Sequence, residues 1–213
     1  LHLCDRRQRQ MCIRDSMYSI VDIGSIILQS GINSLGTEII AAHTAARKVF
    51  SFSILPISTL AASLVTFTSQ NTGAGKPERV RAGIKSATIL GFVWSLVAFF
   101  LLYFGGAALV RMITDSDTFV IGTAVKYLRI NVPFYAFLCI LCFFRSTLQG
   151  LGQKIIPVIA SIIELSGKAI IVFVLVPRMG YLAVCICEPI LWILSGILVS
   201  VPMYRFYLTK NVL

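Results

Sequence analysis

The residues able to do chemistry in this chain are few, and nearly all stand inside apolar stretches. Glu164 and Lys168 are four apart with the acid first, the order that lets the two pair on one helix face. Glu188 immediately precedes Pro189. Ionisable groups at membrane depth are expensive, so each of these marks a candidate site and a partner to be found. For Glu164 two readings stand: a structural ion pair with Lys168, or a carboxylate that exchanges a proton or cation while Lys168 tunes it. Glu188 is suited to hold a cation or to satisfy backbone amides near a bend. Asp22, Gln29 and Asn33 recur at one or two helical turns, which sets polar groups on one face, toward a cavity; Asp22 equally suits the headgroup level. Asn131 is a candidate ligand or, like Gln70 and Gln149, a group bonding helix to helix. Arg47 and Lys48 are expected to snorkel or to pair with Glu38.

Other chemistries lack a constellation. Cys139 and Cys142 form a CxxC without a second CxxC or a nearby histidine, and with Cys185 and Cys187 they lie in apolar stretches as small hydrophobes. No metal site follows. His43 is the only histidine beyond the first residues, and neither HExxH nor GxSxG occurs, so no enzyme is expected. Gly73-Ala74-Gly75-Lys76 is followed by Pro77 instead of the Ser or Thr of a phosphate loop, and reads as a tight turn turning basic side chains toward anionic headgroups. Phe134, Tyr135, Phe137, Phe143 and Phe144 suit packing, lipid contact or stacking on an aromatic cation.

The elements that must position these residues are membrane helices. Of 213 residues 57% are hydrophobic and 13% charged, with a mean hydropathy of +0.85, far from the balance of a water-soluble domain. At roughly 20 residues per crossing this length holds about six spans. The apolar stretches are Tyr18–Leu35, Ile39–Ser69, Ser86–Ile113, Phe119–Phe144, Ile155–Val176 and Leu182–Phe206. They are too long and too uniformly apolar for barrel strands, so the fold class is all-α: a polytopic bundle of six transmembrane helices. Breakers separate them at Asn71–Pro77, Thr114-Asp115-Ser116-Asp117, Gln149–Gln153 and Pro177–Gly180. Pro157 suits a first helical turn, whereas Pro56, Pro133 and Pro189 fall inside segments and are expected to bend them.

A net charge of +10 would point to nucleic acid in a soluble protein; here the basic residues flank apolar runs and are topology signals, with no nucleic-acid partner expected. Lys76, Arg79, Arg81, Lys85, Arg145, Lys154, Arg205 and Lys210 gather on one side. The other side has Arg111 and Arg178, joined by Arg47, Lys48, Lys126 and Arg129 within the segments. The bias puts both chain ends in the cytoplasm. Residues 1–16, LHLCDRRQRQMCIRDS, have no apolar run and resemble a translated sequencing adapter; they are set apart from residues 17–213, which carry the fold.

Three stretches carry a family resemblance: Gln29–Arg47 (QSGINSLGTEIIAAHTAAR), Thr66–Gly83 (TFTSQNTGAGKPERVRAG) and Arg145–Pro157 (RSTLQGLGQKIIP). In sequence and order they resemble the C-terminal six helices of the multidrug and toxic compound extrusion (MATE) transporters, over Met17 to about Tyr207. The resemblance implies a secondary active antiporter of the bacterial plasma membrane that exports amphipathic or cationic compounds against H+ or Na+. It also implies a missing N-terminal lobe of six helices as partner, related by a pseudo-twofold axis along the membrane normal. No internal repeat is present. No cofactor is implied beyond the coupling ion. The sodium-coupled branch carries a carboxylate in its tenth helix, whereas Asn131–Phe144 holds no Asp or Glu; the proton-coupled branch keeps its key aspartate in the lobe not encoded here. Two alternatives remain: a lipid-linked flippase of the same broad fold, with a lateral opening and basic lining, or a non-transporting membrane scaffold without converging polar groups.

Overall fold

The computed structural model describes residues 2–114 and 117–208; Leu1, Asp115, Ser116 and Lys210, invoked above, lie outside the described residues. The described chain is a bundle of helices in the expected order: α1 (His2–Asn33), α2 (Thr37–Gly73), α3 (Pro77–Arg111), α4 (Thr118–Asn131), α5 (Tyr135–Gly150), α6 (Ile155–Ile170), α7 (Val176–Met179) and α8 (Tyr181–Leu208). A 3-10 turn, Val132–Phe134, joins α4 to α5, and a π-helical turn, Ile171–Leu175, joins α6 to α7. Counting each joined pair as one element, there are six long elements. Five of them, from Thr37 onward, are long and apolar enough to cross a membrane. The first is more polar, because Asp22, Gln29 and Asn33 interrupt its apolar part and it runs on through the N-terminal stretch from His2.

The prolines act differently from one another. Pro133 falls in the 3-10 turn that ends α4. Pro56 and Pro189 instead stay inside α2 and α8, which continue through them without a change of helix type. In the turn before Pro56, the Trp94 indole donates to the Ser53 carbonyl at 2.8 Å, the kind of help from a neighbouring helix that makes proline tolerable in lipid. Pro177 has no N–H to give the carbonyl four residues back, and the π turn lies directly before it; its closing bond runs from the Val176 N–H to the Ile171 carbonyl.

The glycine loops have a local cause. After α2, Gly75 takes φ 65°, and after α5, Gly152 takes φ 81°, a left-handed region that favours glycine. In both, the next amide reaches back to cap the helix: Lys76 N–H to the Asn71 carbonyl and Gln153 N–H to the Leu148 carbonyl, each at 2.9 Å. The two loops are thus the same turn built twice.

Packing divides the bundle into two apolar clusters. The larger joins α2, α3, α4, α5 and part of α8, around Ile57, Ile84, Leu102, Tyr127, Tyr135, Phe143 and Phe206. The smaller joins α1, the π turn and α8 through Leu28, Ile32, Val172, Val184, Cys187 and Leu191. Small residues let α1 approach α6: a Cβ on Gly24 would meet the Lys168 stem at 3.2 Å, and one on Gly31 would meet Val172 at 2.9 Å. α3 turns Ile89, Phe92, Leu96, Phe100 and Phe104 outward, an apolar stripe that belongs against lipid.

Candidate functional site

The charged side chains of the interior gather at the seam between the two clusters. From the larger come Arg47 on α2 and Arg145 on α5; from the smaller side come Lys168 and Glu164 on α6 and Ser25 on α1; Glu188 on α8 stands between. Glu188 Oε1 lies 3.7 Å from Arg47 and 3.9 Å from Lys168. Lys168 Nζ also donates to Ser25 Oγ at 3.3 Å. One turn along α6, Glu164 accepts from Arg145 at 3.2 Å, and the same guanidinium donates to Ser161 Oγ. The Arg145 and Glu164 side chains are only 14% and 12% exposed, and Lys168 only 7%, whereas Arg47 is 41% exposed. The network therefore runs from a dry interior to an accessible end.

That difference matters chemically. Arg145 and Glu164 touch directly with a supporting hydroxyl, which suits a fixed buried pair. Glu188 is held by charge alone, beyond hydrogen-bonding distance of either cation, so a proton, a cation or a substrate group can compete for it at lower cost.

Beside the network, two exposed helix faces are rich in polar side chains, each interrupted by an exposed apolar one, Ile26 on α1 and Leu55 on α2. On α1 the polar ones are Asp22, Ser25, Gln29 and Asn33, with Gln29 Nε2 donating to Asn33 Oδ1 at 2.9 Å. On α2 Thr44, Lys48, Ser51, Thr59, Thr66 and Ser69 recur at helical spacing on the exposed side. Their mixture of polar and apolar groups, set against the purely apolar stripe of α3, suits another protein surface better than lipid.

Several expectations are corrected by these contacts. Glu164 and Lys168 are both buried, but the ion-pair partner of Glu164 is Arg145, and that of Lys168 is Glu188. Arg145 is not a loop charge; it lies on α5 before Gly150, inside the bundle. Arg47 pairs with Glu188 instead of Glu38, with its guanidinium carbon 5.2 Å from the Phe50 ring centre. Asn131 is fully buried and bonds helix to helix, donating to the Cys185 carbonyl at 3.2 Å and to Tyr127 of its own helix. Asp22, Gln29 and Asn33 stay exposed on α1, outside the ion-pair network. Cys139, Cys142, Cys185 and Cys187 are free thiols, and no group of three metal-ligating side chains forms among the described residues.

Sequence reasoning missed the roles of Arg145 and Ser25. A signal existed for the first: Arg145 precedes the helix-ending Gly150 by more than one turn, which places its Cα within the helix.

The MatE family model matches residues 17–175. No curated protein matches the chain. Among solved structures, a multidrug resistance MATE family transporter of the MOP superfamily in its outward-facing conformation superposes with a TM-score of 0.78 at 15% identity, over 86% of this chain and 41% of that one. An inward-facing conformation of a transporter of the same description gives 0.70 at 17% identity, over 90% of this chain and 46% of that one. A MOP superfamily transporter from Pyrococcus furiosus gives 0.76 at 15% identity, over 96% of this chain and 44% of that one. The chain thus spans less than half the length of each structure it resembles.

Proposed function

The chain belongs to the MatE family of membrane transporters, and we propose that it forms one wall of a secondary active antiporter that exports amphipathic or cationic compounds from bacteria in exchange for H+ or Na+. It is a multi-pass membrane protein. On this reading the exposed polar faces of α1 and α2 border a cavity shared with a second six-helix lobe, which rocks against this one. Glu188 is the carboxylate that exchanges the coupling ion, and its loose hold between Arg47 and Lys168 is the observation that carries the reading.

The test is to co-express the chain with the N-terminal lobe of a MATE transporter in an efflux-deficient bacterium and follow a fluorescent cationic dye. Export is expected only with both lobes and only while the ion gradient stands. Export by the chain alone would overturn the shared-cavity reading. A groove of about 430 Å³ between α5 and α8 is apolar, with Arg205 as the one basic residue that lines it, and so lacks the basic lining that the flippase alternative calls for. Export of dye without movement of a labelled lipid separates the two.

The same reading requires both chain ends in the cytoplasm. Single cysteines placed at Lys76 and Lys154 in the cysteine-free protein are expected to react with an impermeant maleimide only from the cytoplasmic side. Those at Asp117 and Arg178 should react only from outside, and the reverse pattern in intact cells would invert the topology.

A further inference from the structure

A second polar feature lies in the larger cluster and leads to Glu188. Three helices contribute to it at helical spacing: His43 and Arg47 on α2, Tyr127 and Asn131 on α4, Tyr181 and Glu188 on α8. At the α8 start, His43 Nδ1 and the Tyr181 hydroxyl are 3.2 Å apart. The His43 ring stands edge-on to Tyr127 with centres 5.0 Å apart. Asn131, one turn further along α4, is bonded to the Cys185 carbonyl, itself one turn before Glu188. From Tyr181 to Glu188 the helix rises about 10 Å.

Two atoms in this column have no partner at hydrogen-bonding geometry: the Tyr127 hydroxyl, which faces the Arg47 guanidinium from beyond a direct hydrogen bond, and Asn131 Oδ1. Tyr127 is 1% exposed and Asn131 fully buried. Buried polar atoms without a protein partner are costly and are commonly satisfied by bound water, which needs several polar groups around it. These two stand a turn apart on one helix, with the His43 edge on one side and the Arg47–Glu188 pair on the other. The remaining charged or titratable groups near Glu188 are Lys168 and Glu164 on α6 and Cys187 on α8 itself.

We propose that Tyr127 and Asn131 hold a short file of buried water that connects the His43–Tyr181 pair to Glu188 and lets a proton reach that carboxylate from the α8 N-terminal side. This deepens the proposed function, since it rests on Glu188 as the exchanging carboxylate and selects H+ over Na+ as the ion arriving by this route. A proton passed along the file adds to the Glu188 carboxylate and gives the neutral acid. Arg47 and Lys168 then lose their shared anion until the proton leaves. A metal cation is the poorer occupant, because the guanidinium of Arg47 borders the same space.

The experiment follows Glu188 by infrared difference spectroscopy, on the full chain in lipid vesicles after a rapid drop in pH. Its carboxylic-acid band is identified as the one missing in Glu188→Gln. Tyr127→Phe and Asn131→Leu keep the side-chain volume and remove the two polar atoms. The double variant is expected to protonate Glu188 slower on the order of tenfold or more while reaching the same final band. Thr68→Val, a buried hydroxyl remote from the column, should leave the rate unchanged. If Asn131→Leu perturbs folding, Tyr127→Phe alone carries the comparison, with helix content checked by circular dichroism. Native-rate protonation in the variants, or no band lost in Glu188→Gln at any pH, overturns the proposal. Dye export that fails while Glu188 still protonates through the file would sink the antiporter reading and leave the water file standing.

Discussion

Replacing Arg145 by leucine in the full-length transporter is expected to lower its stability by roughly 3–5 kcal/mol, whereas Arg145→Leu/Glu164→Leu should recover most of that loss. The single change leaves the Glu164 carboxylate 12% exposed in an apolar bundle, without the guanidinium now 3.2 Å away. The double change removes both charges and fills the space with hydrocarbon, which costs little when a buried pair is exchanged for packing. Lys168 acts on Glu164 only as the weaker of two cations and is held by Glu188 and Ser25, so it replaces Arg145 in small part. Thermal unfolding midpoints of the purified single and double variants decide the matter. Losses that simply add would show that Arg145 and Glu164 are not a unit. Export by the double variant should stay close to native, since this pair is fixed by direct contact and is assigned no part in exchange.

Why the partners of these charges were hidden while their burial was legible is a matter of range. Glu164 and Lys168 stand among Ile, Leu and Ser in a segment that must lie at membrane depth, so their burial follows from local sequence. Their pairing is set by which helices touch. Arg145 approaches Glu164 because α5 and α6 are joined by a short turn, and Glu188 approaches Arg47 across a separation that no spacing rule spans. The i,i+4 rule describes an isolated helix, and here tertiary partners outcompete it. Loops were legible for the opposite reason: Gly75 and Gly152 close their turns with bonds inside a few residues. The π turn before Pro177 lies between. Proline announces a disturbed helix, but whether the chain answers with a 3-10 turn, as at Pro133, or a π turn depends on the packing around it.

The same contrast governs Asp22, Gln29 and Asn33. Helical periodicity sets them on one face, yet a face can turn toward core, lipid or a second lobe. Only the packing of Leu28 and Ile32 against Val172 and Val184 fixes which side of α1 is inside. The polar stripe is therefore left outward, next to Ser25 and its lysine.

Glu188→Gln is expected to abolish export, and here the compensating variant should restore the fold without restoring the function. Alone, the change leaves Lys168, 7% exposed, with the Ser25 hydroxyl and a Glu164 carboxylate already committed to Arg145, and a loss of stability of roughly 1–3 kcal/mol follows. Arg47 suffers less, because at 41% exposure it can be hydrated. Lys168→Met/Glu188→Gln removes the stranded ammonium and should bring the unfolding midpoint back toward native. Export should remain at background, because no carboxylate is left between α2, α6 and α8 to take and release the coupling ion. In the Arg145–Glu164 pair, by contrast, fold and function should recover together. Stability from thermal unfolding and dye export from cells therefore separate a brace from an exchanging site, two roles that burial and distance alone make look alike. Export at native rate by Lys168→Met/Glu188→Gln would make the Glu188 network a second brace, and the coupling site would then lie at another carboxylate, Asp22 on α1 or one in the other lobe.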